Sequence, residues 1–196
     1  MLGIKVASGF TAISAVLFSG YHYLSIKSGT ISNVLINEGY ELIENLSKNE
    51  KIKIYEASFK RNKVYIGARK DFLKGTTYEL KDFDDDEEGG IALAFWCKEV
   101  TTKPVRANSS HHLMYASQWC TLNFEDKLKQ EAFKWDDSIK PEEWKKKIDE
   151  IEEISGLPDK DIEEEAINWC NSKRNTIFNK LSKEDYEAVK VICRTI

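Results

Sequence analysis

Four cysteines are the feature that most constrains how this chain folds. In both consecutive pairs the second cysteine follows the first by 23 positions: the pairs are Cys97 with Cys120, and Cys170 with Cys193. The number is even, which in an oxidising compartment favours disulfide bonds, and four cysteines allow three pairings. Equal spacing favours pairing within each set, although helix lengths require the connection to be offset by about one turn. Free buried thiols and the other two pairings stay open as alternatives.

The surroundings of the cysteines also repeat. Trp96-Cys97 and Trp169-Cys170 are offset by 73 residues, Trp119-Cys120 repeats the dipeptide, and Ile192-Cys193 replaces the tryptophan with an aliphatic residue. An acidic stretch precedes the first cysteine of each pair. The pattern predicts a duplicated unit, with repeat units at about residues 40–122 and 123–196.

A long uncharged segment lies near the N-terminus. From Val6 to Ile26, 21 residues lack Asp, Glu, Lys and Arg, and as a helix they would extend about 31 Å, close to the thickness of a hydrocarbon core. We therefore expect residues 1–27 to form an N-terminal membrane anchor and residues 28–196 a separate helical domain outside the cell. A cleaved signal peptide and a buried helix are the alternatives, and Ser19-Gly20-Tyr21 does not fit the usual cleavage pattern.

Small side chains recur every fourth residue within this segment, which is typical of helices that pack together in membranes. They would form the contact face of a homo-oligomer, in which the chain acts as a structural membrane subunit. The residues are Ala7, Thr11, Ala15 and Ser19.

The charge balance does not favour nucleic acid as a partner. The chain has 29 basic and 33 acidic residues, a net charge of -4, and its basic run Lys145-Lys146-Lys147 is followed directly by acidic residues. A phosphate-binding surface requires concentrated positive charge.

Apolar periodicity predicts a mainly α fold. Predicted helices cover Val34–Leu46, Ile52–Phe59, a stretch through Trp96 to Val100, Leu113–Cys120, a segment starting at Pro141, a segment from Pro158 to about Thr176, and one capped by Ser182 that ends near Cys193. Residues 60–90 stay ambiguous, because Val64-Tyr65-Ile66 has strand character.

Sequence motifs for catalysis, cofactors and metals are missing. The acidic run that begins at Asp84 fails as a calcium loop, since Glu87 and Leu93 stand where a glycine and a bidentate acid are needed. No Cys-x-x-Cys pair supports a zinc site. A membrane-tethered, hydrolase-like enzyme is the alternative function, with Cys97, Cys120 and His111 as its candidate groups.

The anchor followed by Trp-Cys dipeptides near helix ends resembles the large paralogous families of uncharacterised proteins in haemotropic mycoplasmas. The residues that carry the resemblance are Val6–Ile26, Trp96-Cys97, Trp119-Cys120 and Trp169-Cys170. The resemblance implies a single-pass protein exposed on a wall-less bacterium attached to red cells. We therefore expect a surface protein that contacts a host surface protein or serves in antigenic display.

Overall fold

The computed structural model describes residues 29–68, 85–106, 110–135 and 167–195, and these are mainly helical. The predicted anchor, most of the ambiguous region and the helix predicted from Pro141 lie outside the described residues. Within the described ranges, no helix combines the length and apolar character needed to cross a bilayer. The anchor at residues 6–26 therefore stays a prediction.

The described ranges contain helices and one two-stranded sheet. In chain order they are α1 (Ile31–Asn37), a 3₁₀ helix (Ile43–Asn45), α2 (Lys48–Ala68), α3 (Asp86–Thr102), α4 (Ser110–Trp119), α5 (Phe124–Gln130), β1 (Lys134–Trp135), α6 (residues 167–173), α7 (Lys183–Ile192) and β2 (Arg194–Thr195). Strand β1 pairs with β2 in antiparallel register, so that Trp135 lies opposite Arg194.

The prediction of a single helix over Val34–Leu46 is wrong. Helix α1 ends at Asn37, and Gly39 adopts a φ of 80°, a left-handed conformation that glycine adopts without steric cost. A Cβ on Gly39 would also lie 2.9 Å from the backbone nitrogen of Lys180. The chain then turns extended, and Leu42 forms an antiparallel bridge with Thr121.

Helix α2 resolves part of the ambiguous region as helix. It continues to Ala68, so Val64-Tyr65-Ile66 is helical rather than extended. The spacing of Tyr55, Phe59 and Ile66 places these buried side chains on one helical face. Val64 and Tyr65 are exposed, and their β-branched and aromatic character is what suggested a strand.

Close contact between α2 and α3 depends on two adjacent glycines. A Cβ on Gly90 would lie 2.7 Å from the Cα of Glu56, and one on Gly89 would overlap the ring of Phe59. Side chains here would hold the two helices apart. Asp85 caps the N-terminus of α3 by accepting bonds from the backbone amides of Glu87 and Glu88, which gives the acidic run a structural role.

Buried apolar side chains form two clusters, and each contains one cysteine pair. The first cluster extends from Ile31 to Leu122 along the chain and includes Cys97 and Cys120. The second extends from Phe124 to Cys193 and includes Cys170. We call the corresponding described residues, 29–122 and 123–195, the first and second halves.

Backbone hydrogen bonds recur between the two halves. The amide of Ile31 donates to the carbonyl of Lys103 at 2.9 Å, and the amide of Phe124 donates to the carbonyl of Thr176 at 2.9 Å. Phe124 follows Ile31 by 93 positions, and Thr176 follows Lys103 by 73. The same two offsets relate the bridge Thr30–Pro104 to Asn123–Ile177.

The helices that begin the two halves also correspond. Thr30 caps α1 and Asn123 caps α5, each by accepting a bond from the backbone amide three residues later. After the helix, the left-handed Gly39 corresponds to Ala132, whose φ is 65°. The sequence offset of 73 that the cysteines share therefore also covers the residues directly after α3 and α6, while the first helix of each half follows an offset of 93.

A single extended segment, residues 121–123, joins the halves. The amide of Leu122 donates to Glu41 at 2.9 Å in the first half, and its carbonyl accepts from Phe178 at 2.9 Å in the second. Side chains reinforce this junction, because the Nζ of Lys127 lies 2.8 Å from a carboxylate oxygen of Glu41.

Candidate functional site

The cysteines form two disulfide bonds, Cys97–Cys120 and Cys170–Cys193, with Cα–Cα distances of 5.5 and 5.7 Å. This is the pairing within each set that the spacing favoured. The first cysteine of each pair lies inside a helix, α3 or α6, and the second lies directly after the end of α4 or α7. All four cysteines are buried, so each disulfide closes its helix pair from within the core.

Aromatic side chains share a buried cluster with each disulfide. In the first half, the ring centroids of Trp96 and Trp119 are 5.5 Å apart, and Tyr115 stacks on Trp119 at 4.6 Å. In the second half, Tyr186 contacts Phe124 at 5.3 Å and Phe178 at 5.0 Å. Two of the three Trp-Cys dipeptides therefore contribute fully buried tryptophans to the first core.

The candidate groups of the enzyme alternative do not include a free thiol. Cys97 and Cys120 are bonded to each other, and none of the four cysteines is free. His111 is exposed at the start of α4, and its neighbour His112 is partly buried. Burial lowers the pKa of His112, and the charge of Lys103 and the adjacent His111 lower it further. A thiolate nucleophile would require reduction of a buried disulfide.

A cavity of about 440 Å³ opens where the two halves meet, and we call it the junction pocket. The first half contributes an aromatic, a hydroxyl and an amide side chain to its wall. The second half contributes residues from the connection between α6 and α7 and from the first turn of α7. The lining residues are Tyr40, Ser117, Gln118, Thr176, Ile177, Asn179, Leu181, Ser182 and Asp185.

Hydrogen bonds within the wall fix its second-half portion. The Oδ1 atom of Asn179 accepts from the amides of Leu181 and Ser182 at 2.8 and 3.0 Å. Ser182 donates its hydroxyl to the carbonyl of Ile177 at 2.8 Å. Ser182 was predicted to cap α7, and it occupies that position without a capping bond from its side chain. Its hydroxyl orders the pocket wall instead.

Tyr40 lies at the contact between the two sides of the pocket. Its side chain neighbours Asn179 of the second half and Ser117 of the first, and all three line the cavity. Burial raises the pKa of Tyr40, the charge of Glu38 raises it further, and the neighbouring polar side chains of Asn179 and Ser117 oppose this rise. Tyr40 therefore stays a neutral phenol at physiological pH.

Three polar groups of the wall keep hydrogen-bonding capacity. The Gln118 amide and the Thr176 hydroxyl make no side-chain hydrogen bond to any described residue. Asp185 pairs through Oδ2 with the Nζ of Lys173, which leaves Oδ1 outside that ion pair. Beside them, Leu181 is 86% exposed. The pocket thus presents neutral donors and acceptors, one charge-compensated carboxylate and an apolar side chain.

A second cavity, of about 290 Å³, lies between α2 and α3 and is almost entirely apolar. Ile52, Ile91 and Phe95 form its exposed rim, and Tyr55 lies at its buried side. Burial raises the pKa of Tyr55 far above its ordinary value, and the Glu44 carboxylate next to it adds to this rise. Lys51 compensates the charge of Glu44 at 3.0 Å.

Little in the sequence indicates the junction pocket. Tyr40 and Gln118 are separated from Asn179 by long stretches of chain, and their polar side chains follow no motif. Ser182 was predicted only as the residue that caps a helix. In the described ranges, no group of three His, Cys, Asp or Glu side chains is arranged to hold a metal ion.

Comparison with known proteins gave no match to any family model, to any curated protein or to any solved structure.

Proposed function

We propose that this chain is a membrane-anchored surface protein whose disulfide-bonded helical domain is displayed outside the cell and binds host molecules or serves in antigenic display. The observation that carries the proposal is the pair of disulfides. Structural disulfides form and persist in oxidising compartments and are rare where thiols are kept reduced. A domain with all four cysteines paired is suited to the outside of a cell.

The uncharged segment at residues 6–26 supports the anchor part of the proposal. Its length matches a bilayer span, and Lys5 and Lys27 flank it. The resemblance to uncharacterised paralogous proteins of haemotropic mycoplasmas implies the same topology. In that setting the short N-terminus stays inside and the disulfide-bonded domain lies outside.

We further propose that the domain consists of two similar helical units, each closed by its own disulfide. Support comes from the recurring backbone bonds at offsets of 93 and 73 residues and from the two clusters of buried side chains. Duplication would explain why a capped seven-residue helix, a left-handed residue and a bonded cysteine pair occur in the same order twice.

Protease treatment of intact cells tests the placement. With a C-terminal epitope tag on the full chain, external protease should remove the tag from intact cells, and a cytoplasmic control protein should survive. Protection of the tag in intact cells, with digestion after lysis, would overturn the outside placement.

The anchor is tested separately by extraction at alkaline pH. The wild-type chain should stay with the membrane, whereas Leu17→Arg, which puts a charge near the middle of the span at a cost of about 3 kcal/mol, should weaken insertion. Ser28→Arg, beyond the span, is the matched control and should behave like wild type. A wild-type chain that leaves the membrane on extraction would contradict the anchor.

A further inference from the structure

We propose that the junction pocket binds a neutral saccharide. The inference deepens the proposed function, on which its biological context rests, by naming the chemical class of the host ligand: the sugar residues of surface glycans. The proposal depends on the chemistry of the pocket wall and on its position between the two halves.

The position of the pocket is typical of ligand sites, which occur preferentially between structural units and measure about 300 Å³ or more. At about 440 Å³ the cavity has room for one or two sugar rings. Its two sides belong to different halves, and a backbone bond next to the pocket joins them, because the amide of Lys180 donates to the carbonyl of Glu38 at 3.2 Å. The pocket therefore exists without a ligand to assemble it.

The free polar groups suit a ligand whose hydroxyls both donate and accept. The Gln118 amide offers a donor and an acceptor, the Thr176 hydroxyl offers both, and Oδ1 of Asp185 accepts. Sugar hydroxyls can satisfy all three together. A purely apolar ligand would leave these groups without partners and would forfeit their hydrogen bonds with water.

The charge of the wall favours a neutral ligand. Among the described residues, the pocket lining includes no Lys or Arg, and the nearby Lys173 is already paired with Asp185, so an anionic ligand such as a phosphate or a sialic acid would meet no unpaired counter-ion in the lining. Lys173 compensates the carboxylate of Asp185, which reduces the attraction for a cationic ligand. A neutral ligand is the class that fits both conditions.

The apolar part of the wall matches the carbon–hydrogen faces of a sugar ring. Leu181 is 86% exposed at the rim and Ile177 lies beside it in the wall. Each would lose contact with water when a ring packs against it. The combination of amide, hydroxyl and carboxylate groups with these two side chains is what distinguishes the junction pocket from the apolar cavity between α2 and α3.

Saturation-transfer NMR on the full chain tests the proposal, in a detergent whose headgroup is not a sugar. The probes are glucose, galactose, mannose, N-acetylglucosamine and lactose, with inorganic phosphate and N-acetylneuraminic acid as anionic comparisons. We expect saturation transfer to at least one neutral sugar, with a millimolar dissociation constant. Absence of transfer to all five neutral sugars, or transfer to the anions alone, would overturn the proposal.

Two variants locate the binding. Gln118→Ala and Asp185→Asn should each weaken the binding of that sugar about tenfold, the effect of about 1.4 kcal/mol. Gln130→Ala and Glu184→Gln make matched changes at exposed positions outside the pocket and should leave affinity unchanged. If sugar binding is unaffected by both pocket variants, the junction pocket is not the site.

These measurements use purified protein, so they do not depend on which side of the membrane carries the domain. Sugar binding with a tag protected from external protease would refute the surface placement and keep the pocket. An accessible tag without sugar binding would keep the surface placement and refute the sugar site.

Discussion

Arg61 of α2 and Asp126 of α5 form an ion pair that joins the two halves of the domain. The Nη2 atom of Arg61 lies 2.7 Å from Oδ2 of Asp126, and Nη1 lies 3.4 Å from Oδ1. The side chain of Asp126 is 1% exposed and that of Arg61 22%. Asn33 occupies the corresponding position in the first half, where it is exposed.

Removal of the guanidinium should destabilise the domain strongly. Arg61→Met leaves the Asp126 carboxylate buried without its counter-ion, and we expect the free energy of unfolding to fall by about 3 kcal/mol. Urea unfolding followed by circular dichroism measures this. Lys60→Met, at the exposed neighbouring position, should change stability by less than about 0.5 kcal/mol. If Arg61→Met and Lys60→Met lower the free energy of unfolding equally, the ion pair does not stabilise the contact between the halves.

The cost of Arg61→Met should grow with pH. Burial raises the pKa of Asp126 above its ordinary value of 3.8, and Arg61 opposes that rise. A carboxyl whose folded pKa is raised contributes stability below its unfolded pKa and loses it as pH rises through the folded pKa. Without Arg61 the folded pKa rises further, so the variant should lose more stability than wild type between about pH 4 and about pH 7.

Unfolding of both proteins in urea over this pH range checks the expectation. In Arg61→Met/Asp126→Asn no charge is left to titrate at this site, so its stability relative to wild type should not show the same decline with pH. A pH-independent cost of the single variant would contradict the assignment to Asp126.

Each disulfide should stabilise the domain by a similar amount. Both join cysteines that are 23 residues apart, and closing a loop of this length restricts the unfolded chain by about 3 kcal/mol. Cys97→Ala/Cys120→Ala and Cys170→Ala/Cys193→Ala should each lower the free energy of unfolding by at least this amount. Non-reducing mass spectrometry of wild type checks the pairing, and peptides linked in any other combination would refute it.

A buried hydroxyl joins α2 to the end of α4. Ser58 is fully buried and donates to the carbonyl of Trp119 at 2.9 Å, next to Cys120. Ser58→Ala should cost about 1–2 kcal/mol in thermal or urea unfolding, because it removes a buried tertiary hydrogen bond. Ser172→Ala removes an exposed bond to the carbonyl of Trp169 within one helix and should be nearly neutral. A neutral Ser58→Ala would count against the tertiary bond.

The sequence predicted the helical class and the pairing within each cysteine set, because both follow from local periodicity and spacing. The helix over Val34–Leu46 was wrong at Gly39, where a left-handed turn and contact with Lys180 override a continuous apolar stripe. That contact comes from the second half of the chain and has no local signal. The strands β1 and β2 were not predicted, because two residues are too few to show an alternating apolar and polar pattern.

The candidate site was the least predictable part. Tyr40 and Asn179 line one pocket because backbone bonds join the two halves, both through residues 121–123 and from Lys180 to Glu38. Such a site depends on the register of long-range backbone bonds, which hydrophobic patterns do not encode. The disulfides, in contrast, could be predicted, because the number and spacing of the cysteines indicate which of them pair.

The segment that joins the halves leaves no room for a hinge. Leu122 is fully buried and has both its amide and its carbonyl engaged, each with a different half, so rotation there would break bonds on one side or the other. The walls of the junction pocket therefore keep their spacing before a ligand arrives. A ligand would enter a preorganised cleft and pay little entropy to order it, so differences in affinity among ligands should arise mainly in their dissociation rates.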